Sequence, residues 1–162
     1  TFDVVDDLAD RLRADALYPF TRPHLPFQRW ARRAGPNHVS PLRILIHPDY
    51  GLWHGFRAAL AFAETLDLPP PDDRPSPCDS CPDKPCLGAC PVDAFSTDGY
   101  DVPACTAHLR SRKGRACMSG GCLARRACPE GRDFAYEPAR AQFHLAAFLH
   151  RRGDGRYPAT RR

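Results

Sequence analysis

The first 77 residues of this 162-residue chain contain no cysteine, and nowhere does an apolar run approach the roughly 18 residues that a membrane span needs. A membrane-embedded role is therefore not expected. The opening TFDVVDDLAD is acidic, where a secretory or transit signal is basic. That points to a cytoplasmic protein, and Thr rather than Met at position 1 leaves room for a longer native chain. No Gly-rich phosphate loop, nucleophile elbow or HExxH pair occurs, so the usual sequence signatures of nucleotide, serine-hydrolase and zinc-protease chemistry are missing. Long regular elements are scarce too. Eighteen prolines, eleven glycines and a mean hydropathy of -0.48 imply a backbone rich in loops and turns.

What is present is concentrated. All eight cysteines fall between Cys78 and Cys128, beyond the proline-dense connector LPPPDDRPSP at 68–77, through which a helix cannot continue. The connector divides the chain into an N-terminal helical and short-strand segment (1–70), a cysteine module (71–136), and a C-terminal helix and tail (137–162). In the first segment Phe2, Val5, Leu8, Leu12 and Ala16 recur at helical spacing, and Leu52, Phe56, Ala59, Leu60, Ala63 and Leu66 predict a second helix over 51–66. RILIH at 43–47, between Pro41 and Pro48, reads as a short strand. LYPFTRPHLPFQRWARRAG is irregular, with a helical turn at its end. Pro138 suits the first turn of a helix bearing Phe143, Ala146, Ala147 and Leu149 that ends at Gly153, after which the chain frays. Trp30, Trp53 and Phe56 are expected to be buried.

CDSCPDKPCLGACP at 78–91 puts four cysteines into fourteen positions and closes on Cys-Pro. A disulfide framework belongs to short secreted chains, and without a signal segment cysteines this dense suit metal better. Zinc accepts two pairs of thiolates, but its pairs are usually separated by a dozen or more residues. Crowding of Cys78, Cys81, Cys86 and Cys90 instead fits thiolates gripping corners of one iron–sulfur cubane. The Cys-Pro ending recurs at Cys128-Pro129, and in two-cluster bacterial ferredoxins the cysteine before proline ligates the other cluster. Two [4Fe–4S] clusters are the reading, with a zinc-binding structural or nucleic-acid-binding protein as its alternative. The run C-x2-C-x4-C-x3-C-P has two more residues in its second gap than the standard motif, so Asp83, Lys84 and Pro85 should bulge outward.

CDSCPDKPCLGACPVDAF, VPACTAHL and GCLARRACP, with GLWHGFRAALAF upstream, resemble the iron–sulfur module of epoxyqueuosine reductase, the cobalamin-dependent enzyme of queuosine biosynthesis, over about residues 50–132. IHPDYGLWHGFRAALAF followed by the same cysteine run is similar to short bacterial ferredoxin-like 4Fe–4S proteins related to that reductase, with a likeness reaching back to PFTRPHLPFQRW. This resemblance implies an α+β fold: a two-cluster bacterial ferredoxin-like module with an N-terminal helical appendage and a C-terminal packing helix. It also implies that Cys78, Cys81, Cys86 and Cys128 hold one cluster and Cys90, Cys105, Cys117 and Cys122 the other. About 77 residues precede the first ligand, too few for the reductase's cobalamin-binding half, so electron carriage rather than catalysis is expected. The alternative is a subunit or trimmed fragment of a cobalamin-dependent reductase.

The formal charge of +4 falls to about 0 if each cubane with its four thiolates adds about -2. Arg110, Arg112, Lys113, Arg115, Arg125, Arg126 and Arg132 surround the later cysteines, with Glu130 the sole acid between 105 and 132. They compensate buried negative charge or dock an acidic redox partner. Nucleic acid is not expected, because no aromatic residue interleaves them to stack on bases. With eight thiols for eight ligand positions, none of His24, His38, His47, His54, His108, His144 and His150 is needed on metal. His108, three residues after Cys105, is the one placed to donate to a cluster sulfur.

Overall fold

A computed structural model describes residues 2–153, and the expected frayed tail after Gly153 lies outside the described residues. The fold is α+β: α1 (Phe2–Leu12), β1 (Asp15–Leu17), α2 (Phe27–Ala34), β2 (His38–Val39), β3 (Leu45–Ile46), β4 (Ala59–Ala61), α3 (Pro85–Gly88), α4 (Val102–Arg110), α5 (Arg115–Gly120), α6 (Leu123–Arg126) and α7 (Pro138–Gly153). Among the described residues no helix is long and apolar enough to cross a membrane.

The two sheets are antiparallel pairs. β2 lies against β3 with His38 opposite Ile46, and β1 lies against β4 with Asp15 opposite Ala61. The second pairing overturns the helix expected over 51–66. Helical periodicity in that stretch is overridden because Ala59–Ala61 completes a ladder with β1, and Gly51, at φ 54°, already turns the chain by a left-handed step. For the same reason α1 stops at Leu12: Arg13 is left-handed at φ 53° and Ala16 belongs to β1. The expected strand at 43–47 survives as its centre, β3, and the helical turn expected at the end of the irregular stretch is α2.

The core joins the N-terminal segment to the cysteines. Leu42, Ile46 and Leu52 pack with Cys86, Ala124 and Cys128, and Cys78, Leu87, Cys90, Phe95 and Cys122 lie against that group. Two glycines make the approach possible. A Cβ on Gly51 would stand 2.1 Å from the Glu130 carbonyl oxygen, and one on Gly131 would stand 2.3 Å from the carbonyl carbon of Tyr50. Backbone therefore meets backbone just past Cys128-Pro129. The connector is fastened by Arg74, whose guanidinium bonds both carboxylate oxygens of Asp49 at 2.7 Å and also bonds Asp72.

Helix α7 has the expected span but presents another face. Phe143 is 69% exposed, and the residues turned inward are Ala141, His144, Leu145 and Phe148, at the spacing of one helical stripe. α7 packs on α4 and α5. Trp53 is buried as expected. Trp30 is half-buried against Phe27, and Phe56 is 41% exposed because the helix meant to bury it does not form.

Candidate functional site

Short helices and tight turns deliver the cysteines. Cys78 sits in a turn, Cys86 within α3, and Cys90 just past that helix. Cys105 lies on α4, Cys117 on α5, Cys122 at the N-cap of α6, and Cys128 two residues beyond it. Pro85 opens α3 at its first turn, where a missing N–H costs nothing, and Lys84 takes a left-handed conformation at φ 40° to start it. The two residues inserted relative to the standard motif are thus accommodated in the turn leading into α3. Asp101 caps α4 by accepting from the Ala104 amide at 2.9 Å. α3 packs directly on α6, and Ala124, fully buried, lies in the core with Cys86 and Cys128.

None of the eight cysteines is in a disulfide. They line two separate spaces. Cys78, Cys81, Cys86 and Cys128 line the first, with Pro77, Pro85 and Pro129 around them. Cys90, Cys105, Cys117 and Cys122 line the second. Each space therefore mixes early and late cysteines: Cys90 and Cys128, which precede Pro91 and Pro129, line a different space from their nearest cysteine neighbours in sequence, whereas Cys81, which precedes Pro82, shares the space of Cys78 and Cys86. The first space is narrow, about 20 Å³, whereas the second is about 290 Å³, wide enough for His108, Arg125, Tyr136 and His144 to reach it. Among the described residues no three His, Cys, Asp or Glu side chains converge as a single metal ion would require.

The electrostatics follow the same partition. Burial pushes the thiols of Cys78, Cys86, Cys105, Cys122 and Cys128 above their ordinary range. The neighbouring thiols that add to the effect belong to the same space: Cys128, Cys86 and Cys81 on Cys78, and Cys117 and Cys105 on Cys122. Donors that favour thiolate oppose it. Backbone amides of Leu87, Arg125 and Glu130 serve Cys86, Cys122 and Cys128, and the Tyr100 hydroxyl serves Cys105. The Ala94 amide lies 3.3 Å from the Cys90 sulfur. The sulfur nearest His108 is that of Cys117, 3.9 Å from Nε2.

Arg125 departs from the expected basic surface. Arg110, Arg112, Lys113, Arg115, Arg126 and Arg132 are exposed, but the Arg125 guanidinium lies 4.5 Å from the Trp53 ring and 4.6 Å from that of Tyr136, and it donates to the Leu52 carbonyl. Tyr136 and His144, stacked at 5.2 Å, were not read from the sequence as site residues. The signal for His144 is its place with Ala141, Leu145 and Phe148 on one stripe of α7. Tyr136 precedes that helix and carries no comparable signal.

No protein-family model, curated protein or solved structure matches this chain.

The donor chemistry fits two iron–sulfur clusters. Each space has four sulfurs and an amide or hydroxyl donor at several of them; no carboxylate lines the second space, and Glu130 is the one carboxylate lining the first. Four thiolates crowded together would repel one another, and a cationic centre removes that penalty.

Proposed function

We propose that the protein is an electron carrier with two [4Fe–4S] clusters, one held by Cys78, Cys81, Cys86 and Cys128, the other by Cys90, Cys105, Cys117 and Cys122. The observation that carries this reading is the sorting of eight thiols into two groups of four, each drawn from both ends of the module. Zinc requires four thiolates on one ion at about 2.3 Å, whereas a cubane gives each thiolate its own iron and suits thiols set around a space. When bound, such clusters supply reversible one-electron exchange.

The chain's residues set the terms of that exchange. Amides of Ala94, Leu87 and Glu130 and the Tyr100 hydroxyl stabilise thiolate charge, His108 donates toward Cys117, and Leu42, Ile46 and Leu52 keep water from the first group. The exposed arginines and Lys113, most of them close in sequence to Cys105, Cys117 and Cys122, offer an acidic redox protein a docking face. Their positive charge raises the potential of the nearer centre.

Anaerobically purified protein should be brown, with a broad absorbance near about 400 nm that bleaches on dithionite. A colourless protein loaded with zinc would overturn the proposal. Titration with cob(II)alamin tests the reductase alternative, for which tight saturable binding is the supporting result.

A further inference from the structure

A concavity of about 360 Å³ adjoins the second thiol space and takes no part in holding thiols. Arg125, Tyr136 and His144 line both, so the two spaces meet at one layer of side chains. Its outer wall is formed by His54, Phe56 and Arg57. The volume lies at the lower end of small-molecule sites.

Two features set this concavity apart from ordinary surface. The first is unbalanced charge. Arg57 and Arg125 line it, and among the described residues neither they nor the nearby Arg140 has a carboxylate ion partner. Arg140 instead sits 4.0 Å over the Tyr136 ring. Arg125 uses Nε and Nη2 on the Leu52 carbonyl, which leaves Nη1 without a partner there. The second is aromatic surface in its wall, of which Phe56 is the exposed part. Phe56 stands edge-on to His54 at 5.6 Å, and Tyr136 and His144 are stacked. Convergent cations with aromatic faces beside them recognise a flat ring that carries negative charge.

We propose that this concavity binds a planar aromatic anion, a conjugated ring bearing a phosphate, with Phe56 and the Tyr136–His144 stack against the ring and Arg57 and Arg125 on the phosphate. Its position beside the second thiol group favours a redox-active member of that class, of the flavin mononucleotide type. This last step rests on the electron-carrier reading, whereas the binding itself does not.

The test is titration of the full, cluster-loaded chain with flavin mononucleotide, followed by calorimetry and by quenching of flavin fluorescence. Saturable one-to-one binding is expected, weakened roughly tenfold or more in Arg57→Gln through loss of a charge-assisted contact. Phe56→Ala should also weaken it. Both side chains are exposed and neither touches a thiol, so iron content should be unchanged in the two variants. Inorganic phosphate should compete far less well than the flavin nucleotide, and ADP should compete measurably. Absence of binding in an iron-replete protein, affinity in both variants equal to that of the unsubstituted chain, or equal competition by phosphate overturns the inference. Flavin binding by a protein without iron would sustain the site while removing the electron-carrier reading.

Discussion

Cys128 lies six residues after Cys122 yet faces the cysteines of the earlier motif. In Cys128→Ala, iron should fall to about half, and the spectrum of the surviving centre should match that of Cys78→Ala rather than Cys122→Ala. Iron and paramagnetic resonance on the three variants check this, and a match of Cys128→Ala with Cys122→Ala would contradict the exchange of ligands. The crowding of the thiols was legible because cysteine spacing is a local property, whereas their division into two sets of four was implied only by the resemblance. Arg125, Tyr136 and His144 were not legible together, because their meeting depends on how α7 crosses the module. Phe56 illustrates the same limit: its helical spacing with Leu52 and Leu60 is real, but pairing of β4 with β1 decides its exposure.

At the scale of elements, α3 and α6 pack on each other, and Ala124 has no free space in the core that they share with the thiols. Ala124→Leu should overpack that core, at a cost of about 1–3 kcal/mol, and lower iron occupancy in both groups. Thermal melts and iron assay read the two effects, and an unchanged melting temperature would contradict this packing account. The connector offers a second test. Hydrogen bonds from Arg74 hold the carboxyls of Asp49 and Asp72 below the usual carboxylate range. A depressed folded-state value means the tether is present above the unfolded value of about 4 and is lost as pH falls through the folded one. Hydrogen exchange of residues 68–77, corrected for intrinsic rates, should rise on acidification, and in Arg74→Gln it should already be high at neutral pH. The connector's prolines were legible as a boundary, but its fastening was not, since Arg74 and Asp49 are 25 residues apart.

Over the whole molecule, the sequence carried the fold class, the outer helices and the β3 strand, whose signals are local. It did not carry β4 or the back-to-back approach of Gly51 and Gly131, which exist because distant backbone segments meet. Cysteines make up much of the shared core, with Cys86 and Cys128 buried among Leu42, Ile46 and Leu52. Metal binding should therefore contribute a large part of the folding free energy of residues 78–132. Anaerobic removal of iron should abolish amide protection there, and native-like protection in the apo protein would contradict this.

The central claim, two four-iron clusters each held by four cysteines from both ends of the module, is tested most directly by counting iron and acid-labile sulfide per chain in anaerobically prepared protein. About eight of each is the expected result. One or two zinc ions per chain with no labile sulfide would contradict it.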